Sequence, residues 1–213
     1  MIVVILLVGI LNLRLQCDKN FEGTNPEIKY EFKESVSINP YKLDYNVGDT
    51  IWLEVNITGK RLFDEKTNRR VFFDSANFST IAQVELLYNN PFISTGPFSS
   101  FVFPTGISAY ASTGPGQTFA RINYGCSSST DYTLQLGIVF VEKGVFGISF
   151  FNSSIQNCFT DHVQNSKLTY VFGVNDSHTQ FYQQLPFSAI GKKPDSFVLD
   201  RLDKKTLVVV NVQ

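Results

Sequence analysis

The sequence predicts an all-β fold, namely an immunoglobulin-like antiparallel β-sandwich with long inter-strand insertions and at most one short helix. Three observations support this prediction. Short runs of residues alternate between apolar and polar side chains, which is the period of a half-buried strand. Turn-forming residues separate these runs, and seven or eight short strands connected in this way are typical of a sandwich. Helix signals are scarce and are confined to residues 177–185, which Pro186 limits at the far end.

The clearest strand covers residues 131–141, where five large apolar side chains fall on one face. Residues 142–144, Glu-Lys-Gly, are typical of a tight turn and predict a hairpin to the next strand. Two segments, 59–77 and 90–117, are too long for simple sandwich connections. Further strands are expected near 28–36, at 51–57, at 82–88, near 117–124, and at 145–151, 168–174 and 206–212.

The N-terminus predicts export. Residues 2–11 form a run of ten apolar residues, which suits the core of a signal peptide but is too short for a membrane span of about 20 residues. Cys17 follows this run, as in bacterial lipoproteins whose cysteine is lipidated and becomes the new N-terminus. We therefore expect a signal peptide at 1–16, a lipid-anchored polar tether at 17–27 and the β-sandwich domain at 28–213. Plain secretion, or an uncleaved anchor, remains the alternative.

The cysteine count agrees with export. The chain has three cysteines, and assigning Cys17 to lipid leaves Cys126 and Cys158 as one pair. An exported protein can keep such a pair oxidised. The predicted hairpin at 142–144 would bring the two cysteines to the same edge of a sheet, so we expect a disulfide. The alternative is two free, buried thiols.

Charge and motifs exclude several classes of function. The chain carries 18 basic and 19 acidic residues with no basic block, which argues against a nucleic-acid partner. No phosphate-binding motif and no cluster of metal ligands is recognisable, so we predict no cofactor, no metal and no catalytic residue. The alternative class is an envelope hydrolase. It would need Ser108 to converge with Asp161 and His162, or with His178, although both histidines are expected on surface loops.

Aromatic residues in the second long segment are the candidate ligand-binding residues. Exposed rings on loops can stack on sugars or anchor protein partners. The alternative is that the rings fold back over the sandwich as additional core. The candidates are Phe92, Phe98, Phe101, Phe103 and Tyr110.

Three stretches carry a resemblance to a known group: Cys17-Asp18-Lys19, residues 45–52 (Tyr-Asn-Val-Gly-Asp-Thr-Ile-Trp) and residues 142–146 (Glu-Lys-Gly-Val-Phe). In these the chain resembles exported Bacteroidota lipoproteins with an immunoglobulin-like sandwich. The resemblance implies the same fold class and an address in the cell envelope, anchored by lipid to the outer membrane, with a secreted or periplasmic protein as the alternative. We expect a non-enzymatic binding or structural module whose partner is a glycan or an envelope protein.

Overall fold

The computed structural model describes residues 30–88, 98–104, 107–114, 116–126, 129–159, 166–190 and 192–213. Two β-sheets pack face to face, and two short helices cover the outer side of one of them. This arrangement confirms the predicted all-β sandwich. In the part of the chain that the structure describes, neither helix is long and apolar enough to cross a membrane.

The strands of sheet I, in spatial order, are β5 (Arg69–Phe72), β4 (Arg61–Asp64), β1 (Glu31–Asn39), β3 (Thr50–Ile57), β10 (Tyr132–Phe140) and β7 (Ser99–Val102), and β12 (Lys167–Phe172) also pairs with β1. Those of sheet II are β2 (Asp44–Tyr45), β13 (Leu207–Val212), β11 (Gly144–Asn157), β6 (Ala76–Tyr88), β9 (Gln117–Gly125) and β8 (Ser108–Gly114). Most neighbours are antiparallel, but the pairs β1–β12 and β2–β13 are parallel. The sandwich is therefore mixed rather than purely antiparallel.

The core lies between the inner faces of the two sheets. In β10 the predicted alternation holds, because its five large apolar side chains are all buried. The register with β3 places Leu136 beside Leu53 and Leu134 beside Val55, so the two strands contribute one continuous apolar wall. Ala82, Val84 and Phe146 of sheet II belong to the same cluster. The polar residues between these positions consequently face outward on sheet I.

The described residues contain two α-helices rather than at most one. The first, α1 (Ser177–Gln184), matches the predicted segment. The second, α2 (Ser196–Asp203), begins at Asp195, whose carboxylate accepts a hydrogen bond from the Phe197 N–H. Its buried face consists of only Val198 and Leu202, one turn apart, which is too little periodicity to stand out in the sequence.

Both helices pack on the outer face of sheet II. Leu207 and Val209 of β13 lie beneath them, which explains why that strand is apolar on both faces. A 2.6 Å ion pair from Arg201 of α2 to Glu85 of β6 adds a polar attachment. Sheet II is therefore covered on its outer side around β13 and β11, whereas the outer face of sheet I carries no layer among the described residues.

The described parts of the two long segments contain strands at the edges of the sheets. Residues 59–77 contain β4 and β5, a hairpin at the edge of sheet I. Residues 90–117 contain β7 and β8, which lie at the other edge of sheet I and at one edge of sheet II. Their apolar pattern is weak because an edge strand is only partly buried.

The turn at 142–144 does not form a hairpin, and this prediction is wrong. β10 belongs to sheet I and β11 to sheet II, so the chain crosses between the sheets at this point. Each strand already has two neighbours, β3 and β7 for β10, and β13 and β6 for β11. The apolar faces of the two strands meet through the core instead of lying side by side.

The disulfide between Cys126 and Cys158 is nevertheless present, with a Cα–Cα distance of 5.4 Å. The strands that bring the two residues together are β9 and β11, which flank β6. At the start of β6, the amide of Cys126 donates to the carbonyl of Ala76, and the amide of Cys158 donates to that of Ser75. The shared neighbour β6, and not a hairpin, brings the two thiols together.

Candidate functional site

The structure separates the predicted aromatic candidates. Phe98 is 1% exposed and stacks on Phe146 with the ring centroids 5.3 Å apart, so it is a core residue and not a surface ring. Phe101 and Phe103 are half-buried, lie 6.1 Å from each other and pack against the core. Only Tyr110, on β8, is well exposed, at 73%. Phe92 lies outside the described residues, as do Cys17 and the segments predicted to be a signal peptide and a tether.

The residues considered for a hydrolase do not converge. Ser108 is exposed on β8, whereas His178 lies on α1 against β13, and three strands of sheet II separate β8 from β13. His178 is buried rather than on the surface, and its Nδ1 donates to the Val209 carbonyl at 2.5 Å. Burial lowers the pKa of His178, which keeps the imidazole neutral. Asp161 and His162 lie outside the described residues, and within the described ones no three metal-ligating side chains form a group.

A cleft of about 500 Å³ is lined by residues of both sheets. Residues 54–56 of β3 and 133–135 of β10 line it, together with Tyr124 and Gly125 of β9 and with Pro104 and Ile107. Because three consecutive residues of each of two paired strands are involved, the floor of the cleft includes main-chain atoms. Such a volume falls within the range of ligand-binding pockets, about 300–1,000 Å³.

The side chains on the cleft floor are polar. Val55 and Leu134 point into the core, so the neighbouring residues on both strands point outward. Gln135 Nε2 donates to Glu54 Oε1 at 2.9 Å, which links β3 and β10 across the floor. Glu54 is the one charged side chain among the described residues that line the cleft, which therefore carries a single negative charge.

An apolar patch adjoins this polar cleft. Trp52, the only tryptophan in the chain, lies two residues before Glu54 on the same outward-facing side of β3 and is half-buried. Gly137 lies directly opposite it on β10, and a Cβ added there would lie 3.0 Å from Trp52 Cζ3 and 3.0 Å from Val102 Cβ. The glycine thus makes room for the indole beside Val102, which is 40% exposed.

Sequence reasoning missed this site. Trp52 occupies the polar side of the alternating run 51–57, and an aromatic residue at such a position is a signal of an outward-facing contact surface. The cleft itself depends on residues from four separate segments, which are brought together only by the sheet pairings.

Comparison with known proteins gives only distant similarity. No family model and no curated protein matches the chain. Among solved structures, it is similar to the second type II cohesin module from the adaptor ScaA scaffoldin of Acetivibrio cellulolyticus, at 13% identity over 65% of this chain and 86% of that one, with a TM-score of 0.35. It is also similar to a non-cellulosomal cohesin from Archaeoglobus fulgidus, at 9% identity over 73% of this chain and 99% of that one, with a TM-score of 0.33.

A type II cohesin dyad from the same scaffoldin gives 14% identity, 70% coverage of this chain and a TM-score of 0.38. This chain spans about half of the dyad's length, 49%. The identities and scores are too low to assign the chain to the cohesins.

Proposed function

We propose that this chain is a non-catalytic binding module of the cell envelope that holds a partner protein on the outer face of sheet I. The observation that carries the proposal is the position of Trp52, half-buried beside the exposed Val102 and next to a cleft with a polar floor. Tryptophan is enriched among the residues that contribute most to protein–protein binding, and polar groups around it fix the orientation of the partner.

A protein partner is favoured over a glycan by the arrangement of the aromatic rings. Sugar binding would need exposed rings near one another, but Phe98 is in the core and the pair Phe101–Phe103 packs against it. The exposed Tyr110 lies on a strand of sheet II, whereas Trp52 lies on a strand of sheet I. A glycan therefore becomes an outcome of the test rather than part of the proposal.

The cellular address is also a proposal, supported by the apolar run 2–11 followed by Cys17. We expect the mature protein to start at Cys17, to carry lipid there and to be held at the outer membrane by residues 17–27. In native cells, Cys17→Ser is expected to move the protein from the membrane fraction to the soluble fraction and to abolish lipid labelling. A Cys17→Ser protein that stays in the membrane fraction would contradict lipidation and favour an uncleaved anchor.

The binding function is tested by co-purification from detergent-extracted envelopes with the native chain and two variants. Trp52→Ala removes the ring from the outer face of sheet I, and Tyr110→Ala removes an exposed ring from β8 as the matched control. A partner protein recovered with the native chain and with Tyr110→Ala should fall at least tenfold with Trp52→Ala, whose circular dichroism should remain native. Equal recovery with Trp52→Ala, or retention of oligosaccharides in place of a protein, would overturn the proposal.

A further inference from the structure

The two edges of β10 are paired to different extents. On one side β3 pairs with residues 132–139. On the other side β7 pairs only with residues 137–140. Among the described residues, positions 132–136 therefore have no strand beside them on the β7 side, and part of this stretch lines the cleft.

The register explains why β7 stops. The Val141 N–H donates to the Phe98 carbonyl at 2.9 Å. From this pair the register continues in steps of two residues on each strand, with Val139 opposite Ser100 and Gly137 opposite Val102. The next residue in this series on the β7 side is Pro104, which would lie opposite Gln135. Proline has no N–H and cannot continue the ladder.

The same periodicity identifies the main-chain groups that this leaves at the edge. In an antiparallel strand, alternate residues direct their N–H and C=O groups to the same side. Gln135 and Thr133 follow Val141, Val139 and Gly137 in that series, so their main-chain groups point away from β3, and both residues line the cleft. They repeat every two residues, about 6.8 Å, which matches the spacing of an incoming antiparallel strand.

Charge narrows the choice of occupant. Glu54 lines the same cleft and is the one charged side chain there among the described residues. Glu54 lies on β3, one strand inward from this edge, so only a long side chain such as lysine or arginine on the incoming strand reaches its carboxylate to form a charge-assisted hydrogen bond. The cleft that Thr133 and Gln135 line provides the space for an extended backbone.

From these observations we infer that the cleft binds an extended peptide segment of a partner protein, which adds a strand to β10 at residues 132–136 and places a basic side chain against Glu54. The inference rests on the proposed binding function of the same face and specifies the partner. Main-chain pairing provides affinity in this mode of recognition, and the side chain at the charged position provides selectivity.

The probe for the test is a library of seven-residue peptides with blocked termini, selected on the purified full-length chain and measured by fluorescence anisotropy. The selected peptides should share a lysine or arginine at one position. Replacing that basic residue of the peptide by methionine should weaken binding to the native chain at least tenfold. The same replacement should weaken binding to the Glu54→Gln variant by less than twofold, because this variant lacks the carboxylate that distinguishes the basic peptide from the methionine peptide.

Pairing with the edge is tested first on the peptide, where no protein variant has to fold. Methylating single backbone nitrogens of the selected peptide should reduce binding at every second residue only, by tenfold or more at each sensitive position. Gln135→Pro, which removes an N–H that β3 does not use, should reduce binding by a similar factor. Tyr110→Ala serves as the control and should bind as the native chain does.

Three results would overturn the inference: no peptide enriched over the selection background, a methylation profile without a period of two, or full binding to natively folded Gln135→Pro. Failure here is distinguishable from failure of the proposed function. A partner lost with Trp52→Ala, combined with a flat methylation profile, retains the binding module and rejects strand addition. Peptide binding whose methylation profile has a period of two, combined with partner recovery that Trp52→Ala does not change, retains strand addition and rejects the proposed function.

Discussion

The Tyr132 hydroxyl connects the two sheets, and its removal tests how the sandwich is held together. Tyr132 opens β10 in sheet I, and its hydroxyl donates to the Phe73 carbonyl at 2.6 Å and accepts from the Ala76 N–H at 2.9 Å, where the chain enters sheet II. Tyr132 and Ala76 are both buried. Tyr132→Phe keeps the ring, which packs against Phe78 with the centroids 5.0 Å apart, and removes only the oxygen.

The expected cost follows from the two hydrogen bonds. Each is worth about 0.5–1.5 kcal/mol net, and an N–H left buried without a partner costs about 1–3 kcal/mol. Because Ala76 is fully buried, water cannot readily replace the hydroxyl, and the free energy of unfolding should fall by roughly 2–4 kcal/mol. With an m-value of about 2 kcal/mol/M, the urea midpoint should fall by roughly 1–2 M.

Urea unfolding followed by the fluorescence of Trp52 and by far-ultraviolet circular dichroism measures this loss. The two probes report on the outer face of sheet I and on the whole fold, so coincident transitions establish two-state behaviour. Tyr110→Phe is the control, because Tyr110 is 73% exposed, and its midpoint should not move. A loss below about 0.5 kcal/mol for Tyr132→Phe, at an unchanged m-value, would show that the hydroxyl does not hold the sheets together.

The remaining predictions concern the disulfide, a glycine and a histidine. Replacing Cys126 and Cys158 by alanine opens a loop of 32 residues and should cost about 3.7 kcal/mol, or roughly 7–15 °C in Tm by calorimetry; an unchanged Tm would refute this. Gly125→Ala should cost more than about 2 kcal/mol in urea unfolding, because Gly125 has φ +102° and a Cβ there would lie 2.2 Å from the Ala76 carbonyl oxygen; native stability would show that the backbone can relax. Burial holds the pKa of His178 below 6.5, so its contribution to stability is complete above pH 6.5 and is lost as the pH falls through the folded-state pKa. His178→Gln should remove this part of the pH dependence of the free energy of unfolding. Parallel curves of stability against pH for the native chain and the variant would contradict the prediction.

The sequence predicts the core strands well and the pairing between them poorly. β10 was predictable because its period of two continues through five large side chains, and α1 because Pro186 limits it at the far end. Which strands lie side by side depends on contacts between distant residues. The turn at 142–144 therefore permitted both a hairpin and a crossing between sheets, and local turn chemistry does not distinguish them.

Glu34 illustrates a second limit. Its position in a run of charged residues predicts exposure, yet it is 4% exposed, on the core side of β1. It is held there because its carboxylate accepts a hydrogen bond from the Phe63 N–H of β4 at 2.7 Å, where β1 and β4 share only a single residue pair. Burial raises the pKa of Glu34, against the opposing effects of this bond and of Arg70. A buried side chain that accepts a hydrogen bond from a neighbouring strand, in place of a main-chain carbonyl, leaves no periodic signal in the sequence.

The wall of the cleft is built from the same residues that stabilise the core, and this bears on how the site can bind. Tyr124 lines the cleft, stacks on Phe78 at 4.7 Å and shares a 2.5 Å hydroxyl–hydroxyl contact with Tyr170, which is fully buried. Two residues further along, Cys126 is joined by the disulfide to Cys158, the residue after β11. Because this wall is fixed by packing, by a buried hydrogen bond and by a covalent bond, a peptide that enters the cleft orders little of the protein, and most of the entropic cost of binding falls on the peptide.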